Sequence, residues 1–175
     1  TTEPYPLSHV TTNDTWLRLY MPFDVNQTAS PNNVTYDYSN NSQDGVVRST
    51  TSVWNSTGGI IGGGYVSRGM TSDGIVIGRG TNFSTLCSNY SAPDGIQGCS
   101  FGAWVNSNNH SSPGLQYIIA RYDSTNNDRF FALRKATNTR LEVVLTIAGT
   151  TDDCKATSPG GQELVIGQWR HVMAV

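Results

Sequence analysis

The sequence predicts an all-β sandwich or jelly roll. Short strand-like segments recur between turn clusters along the whole chain, and no helical period opens anywhere. The composition agrees. Val, Ile, Thr and Tyr are plentiful, whereas glutamate occurs only as Glu3, Glu142 and Glu163, and lysine is scarce. At 175 residues the chain can bury one core of ordinary size.

The elements follow in order. In Trp16 to Phe23, Leu17, Leu19 and Met21 alternate with Trp16, Arg18 and Tyr20, which predicts a strand ended by Pro22. Residues 24–45 are polar, with Val34-Thr35-Tyr36 as their one strand piece, and Val46 and Val47 begin the next strand. Gly58 to Gly64 is a glycine-rich bend holding Ile60 and Ile61. No Lys-Ser/Thr and no helix pattern follow it, so it reads as a tight connection and not as a phosphate cradle. Gly74 to Gly78 reads as a buried strand. Ser100 to Val105 alternates and puts Phe101, Ala103 and Val105 on one face. Tyr117 to Tyr122 and Arg129 to Arg134 form a hairpin around a polar turn. Strands are further expected at Leu141 to Ile147, Glu163 to Ile166 and Trp169 to Val175. No repeat or linker interrupts the pattern, which predicts a lead-in over 1–12 and one domain over 13–175.

Charge and composition exclude several functions. Charged residues are 14% of the chain and the net charge is −2, so no strongly basic face for nucleic acid or anionic lipid is available. No apolar run is long enough for a membrane-inserted helix. Asn-X-Ser/Thr sequons start at Asn13, Asn26, Asn33, Asn40, Asn55, Asn82, Asn89 and Asn109, none with proline in the middle. All fall in expected loops or strand ends, where a bulky solvated glycan must sit, and they predict an extracellular or cell-surface protein carrying N-linked glycans. In that oxidising setting Cys87 and Cys99 are expected to close a small disulfide loop, with Cys154 left over for a partner elsewhere or a free thiol.

Five segments, in this order, resemble the LamG-like jelly-roll family of the concanavalin A-like lectin/glucanase superfamily. They are Leu19-Tyr20-Met21-Pro22-Phe23-Asp24; Asp37 through Val46; Phe101-Gly102-Ala103-Trp104-Val105; Ile118 through Asp123; and Gln168 through Val175. The resemblance implies two large curved antiparallel sheets packed face to face, and a role in carbohydrate binding, adhesion or architecture. Family members continue past the Trp-Arg-His-Val strand, so the sandwich is expected to be incomplete at the C-terminus, with the Trp16 to Phe23 strand short of ladder partners.

The chemistry expected is non-catalytic. Glycosidases of this fold carry Glu-X-Asp-X-X-Glu on one strand, and no two glutamates here are neighbours. His9, His110 and His171 are widely spaced, and no Cys/His spacing fits a transition metal. Asp24 and Asp37 are the candidates for a Ca²⁺ rim site, as the resemblance implies; the alternative is that loop aspartates cap turns through their own backbone. Asp123 and Asp128 form a second acidic pair. Trp104 and Trp169 read as core residues, His171 as a sheet residue that packs and hydrogen-bonds, and Tyr36, Tyr38 and Tyr90 as loop rings that could stack on sugar. Two roles follow: a structural tile of a surface filament, sheath or appendage, whose partners are other copies or modules of the same assembly, or a lectin or adhesin module that binds glycan or a receptor through its loops.

Overall fold

The computed structural model describes residues 17–24, 34–48, 52–67, 73–77, 100–108, 114–123, 128–136, 139–145 and 154–175; of 122, 123, 128–130 and 154 only the backbone is described. Among the described residues the chain is all-β, every strand pairing is antiparallel and no helix is present. Contacts divide it into two units, Thr1–Gln97 and Gly98–Val175.

In the first unit β1 (Val34–Thr35), β2 (Gly45–Val47) and β5 (Ile75–Ile77) form a three-stranded sheet in the order β1-β2-β5, and β3 (Val53–Asn55) pairs with β4 (Gly64–Val66) as a hairpin. Sequence reading took the glycine-rich run as a bend and missed the two three-residue strands that flank it. Its buried side chains are mostly small and polar: Thr35, Asp37, Ser39 and Ser52 beside Val47. The strand expected over Trp16 to Phe23 is not formed. Trp16 lies outside the described residues, and residues 17–24 meet the chain's backbone through Tyr38 N–H donating to the Tyr20 carbonyl at 2.8 Å. Pro22 has no N–H to give a ladder, and Phe23 turns into the left-handed region at φ 63°. The Trp54 indole N–H holds that turn by donating to the Phe23 carbonyl at 2.8 Å, and the Phe23 ring meets Tyr65 edge-on at 5.2 Å.

The second unit is a sandwich. β6 (Phe101–Asn106) pairs with β11 (Trp169–Ala174) as a two-stranded ribbon. β7 (Gln116–Asp123), β8 (Asp128–Lys135), β9 (Leu141–Leu145) and β10 (Cys154–Thr157) make a four-stranded sheet in the order β10-β9-β8-β7. β7 and β8 are the hairpin expected from sequence, with register shifts between Tyr117 and Ile119 and between Arg121 and Tyr122. β10, Cys-Lys-Ala-Thr, was invisible to an apolar-pattern search. The strand expected at Glu163 to Ile166 reduces to one isolated bridge, Ser107 to Ile166, while Leu164 is buried in the core.

The ribbon's inner face lies on the sheet. Leu133, Leu164 and Val172 form the buried centre, and Phe101, Val105, Ile118, Leu141 and Val143 pack against it. The Phe101 and Phe131 rings meet at a 37° tilt with centroids 4.7 Å apart. β8 is the central strand and is buried on both faces over Phe131 to Lys135. On the face away from Leu133, Arg134 pairs with Glu142 at 3.1 Å, and Lys155 reaches the same carboxylate at 3.5 Å. Lys135 is also buried, and among the described residues its ammonium nitrogen has no hydrogen-bond partner, a cost the surrounding apolar contacts have to outweigh.

Replacing Leu133, 2% exposed at the centre of this core, by alanine is expected to cost about 2–5 kcal/mol. Urea unfolding followed by backbone exchange over 101–106, 128–135 and 169–174 measures it. Substitution of the exposed Leu145 on the same sheet is expected to cost far less.

Candidate functional site

The β6–β11 ribbon has a second face. Its register sets Trp104 opposite His171, Gly102 opposite Met173 and Asn106 opposite Trp169. Period-two alternation turns these six positions, and the five side chains they carry, away from Leu133 and Val172. Trp104 is 52% exposed and Met173 60% exposed, His171 is exposed, and Trp169 is half-buried. The Trp104 and His171 rings lie 5.0 Å apart at 52°. Glycine at 102 lets Met173 lie low over the ladder: a Cβ there would meet the Val172 carbonyl oxygen at 2.9 Å and the Met173 side chain at 3.4 Å. The result is a flat, largely apolar strip with one large aromatic at its centre.

Trp104 therefore corrects the sequence reading, which placed it in the core. The alternation that buries Phe101, Ala103 and Val105 forces Trp104 outward. Trp169 is half-buried on the same outer face, and His171 packs on Trp104 as a sheet residue. The signal that could have found the strip was the second stripe, Gly102-Trp104-Asn106 against Trp169-His171-Met173, which carries two tryptophans and a methionine where a solvated face is usually polar throughout.

The calcium candidates sit elsewhere, in the first unit. The Asp37 carboxylate is buried and accepts four hydrogen bonds. Oδ1 takes the N–H groups of Tyr20 and Ser39, both at 2.9 Å. Oδ2 takes the Ser39 hydroxyl at 2.7 Å and the Gln43 N–H at 2.9 Å. Asp44 accepts the Asp37 N–H at 3.0 Å, and Asn41 donates to the Leu17 and Arg18 carbonyls at 3.0 and 3.2 Å. Asp37 thus caps its own turn and pins residues 17–20 to the loop. Of the two roles open from sequence, turn capping is the one this geometry displays. Burial by itself raises the Asp37 carboxyl, and the donors from Tyr20, Gln43 and Ser39 together outweigh it, so its pKa lies below the ordinary value. Asp24 is exposed beside Gly62, and partial desolvation raises its pKa. Among the described residues no group of three or more His, Cys, Asp or Glu could hold a metal ion.

Of the eight sequon asparagines, Asn40 and Asn55 are described, and both are exposed in or beside turns. Asn13, Asn26, Asn33, Asn82, Asn89 and Asn109 lie outside the described residues, as do Cys87, Cys99, Tyr90, His9 and His110. Cys154 opens β10 opposite Leu145. Tyr36 is exposed and Tyr38 half-buried, on the stretch that leads into the Asp37 turn. No family model, curated protein or solved structure matches the chain.

Asp37→Asn is expected to loosen the first unit by on the order of 1–3 kcal/mol at neutral pH, because an amide sets a donor against the Ser39 or Gln43 donors. A carboxyl whose folded pKa is lowered contributes stability above its unfolded pKa and loses it as pH falls through the folded value. The difference between wild type and variant should therefore shrink below about pH 4. Amide exchange at Tyr20, Ser39 and Gln43, measured from pH 7 downward, checks both statements.

Proposed function

We propose that the chain is a non-catalytic module of an extracellular glycoprotein: a LamG-like jelly-roll tile that joins other copies or modules of a surface filament, sheath or appendage. The observation that carries the reading is the open apolar face of the β6–β11 ribbon, centred on Trp104 and Met173. A contiguous exposed patch of aromatic and Met side chains on a rigid sheet is the composition of an interface core. Low charge density supports the same reading, since copies of a chain with net charge −2 repel one another weakly.

Sequon placement supports it further. Seven of the eight sequons, all except Asn109, start within Thr1–Gln97, the unit that does not carry the ribbon. Glycans on those seven sites would decorate the first unit, and Asn109 alone would add one to the second. The assignment as non-catalytic rests on the lack of a Glu-X-Asp-X-X-Glu strand, since no two glutamates are neighbours.

The second reading, a lectin or adhesin module, draws on one specific feature. Trp104 presents its ring on a flat face, tilted against His171, and such a ring can stack on the apolar face of a sugar.

Trp104→Ala with Met173→Ser is expected to weaken self-association by at least about 2 kcal/mol, roughly thirtyfold in Kd, as for truncation of an interface anchor. Analytical ultracentrifugation of the glycosylated protein across a wide concentration range is the measurement. A wild type that stays monomeric throughout, yet loses binding to immobilised glycans on the Trp104 change, would transfer the face to the lectin reading.

A further inference from the structure

The β3–β4 hairpin carries a second apolar surface, and a sequon stands at its base. Ile60 and Ile61 are 45% and 59% exposed at the tip of the connection. That tip is locked: Gly58 N–H donates to the Asn55 carbonyl at 3.0 Å and Gly59 N–H to the Gly62 carbonyl at 3.1 Å. Val53, 47% exposed, lies on the same outward side of β3 as Asn55, whereas Trp54 between them turns inward. Two adjacent isoleucines and a valine held open on a rigid hairpin are an association liability unless something covers them.

Asn55 starts the sequon Asn55-Ser56-Thr57. Its Oδ1 accepts the Thr57 N–H at 3.0 Å and the Thr57 hydroxyl at 3.2 Å, both through exposed atoms. Those bonds fix the carboxamide, and among the described residues its Nδ2 has no partner and the residue is exposed. A substituent on Nδ2 disturbs neither bond. From Asn55 to Ile60 the chain could span at most about 17 Å if fully extended, and two hydrogen-bonded turns fold it back well inside that limit.

We infer that Asn55 carries an N-linked glycan whose first sugars lie over Ile60, Ile61 and Val53 and keep this hairpin from associating. In the attachment step Nδ2 bonds to the anomeric carbon of a polyprenyl-pyrophosphate-linked oligosaccharide. The anomeric carbon–oxygen bond to the pyrophosphate breaks, and the proton lost from Nδ2 balances the charge on the released pyrophosphate. The covering is intramolecular, so it needs no affinity between separate molecules: the acceptor nitrogen is tethered a few residues from the patch. Sugar rings have an apolar face of carbon-bound hydrogens, and laying it on aliphatic side chains removes both from water.

The inference rests on the extracellular-glycoprotein reading, and one experiment separates the two. The full chain is secreted from a eukaryotic host and its glycopeptides are analysed by mass spectrometry. Sugar on Asn55 is the expected result. Sugar on other sequons with Asn55 bare overturns this inference alone, whereas eight unmodified asparagines overturn the glycoprotein reading with it. The shielding is then read with the probe bis-ANS and by light scattering. Asn55→Gln is expected to raise dye fluorescence several-fold and to promote self-association, and adding Ile60→Ser and Ile61→Ser is expected to return both to the wild-type level. No change on Asn55→Gln overturns the shielding. So does a glycosylated wild type whose self-association is abolished by the isoleucine changes, because the tip would then be a docking knob that is never covered.

Discussion

A two-stranded ribbon can give only one of its faces to a core, and the second unit is built on that constraint. Phe101, Ala103 and Val105 alternate with Gly102, Trp104 and Asn106, and β11 alternates in step with them through six matched pairs. Once Val172 and Phe101 are committed to Leu133 and its neighbours, Trp104, His171 and Met173 have nowhere to go but out. Shifting the register by one residue would bury Trp104 and Met173 and would expose Phe101 and Val172, abandoning the packed side. The exposed strip is thus a consequence of the same alternation that builds the core. Gly102 leaves room for Met173, which a Cβ there would crowd.

The first unit solves a different problem with different means. Among its described residues it buries few apolar side chains, and it leans on the Asp37 carboxylate instead. Four donors converge on that group from Tyr20, Ser39 and Gln43. Charge-assisted bonds of this kind are the stronger sort. They let a segment rich in Asn, Ser and Asp be ordered with little hydrophobic driving force. The Trp54 bond to the Phe23 carbonyl does the same for the end of that segment, and it holds a left-handed phenylalanine that would otherwise cost on the order of 1–2 kcal/mol.

Fold class was legible because strand alternation and turn residues are local signals. The β7–β8 hairpin and the β6 and β11 strands stand where Tyr117-Ile118-Ile119, Phe101-Ala103-Val105 and Trp169-Val172 place them. Misreadings occurred where a distant partner decides. Leu17 to Phe23 has a strand's alternation, but its partners are mostly side chains, those of Asp37, Asn41 and Trp54, and Pro22 cannot donate. Glu163 to Ile166 contributes Leu164 to the core from a loop. β10 is too polar to show any apolar period, since it sits at the sheet's edge beside β9. Trp104 was misplaced because a large aromatic was taken as core by type, against the alternation of its own strand. The turn-capping role of Asp37 was one of two readings open from sequence, and only the positions of the Tyr20 and Gln43 amides separate it from a cation ligand.

Both apolar surfaces are built on rigid β-structure, and they differ in what stands beside them. The hairpin tip has a sequon at its base, and the ribbon face belongs to the unit that carries one sequon of eight. The central claim is that the ribbon face is left open for a neighbouring module. Hydrogen exchange followed by mass spectrometry at low and high protein concentration tests it most directly. The account predicts that raising the concentration slows exchange selectively over 101–106 and 169–174. Unchanged exchange in those two strands, with protection appearing elsewhere as the protein associates, would contradict it.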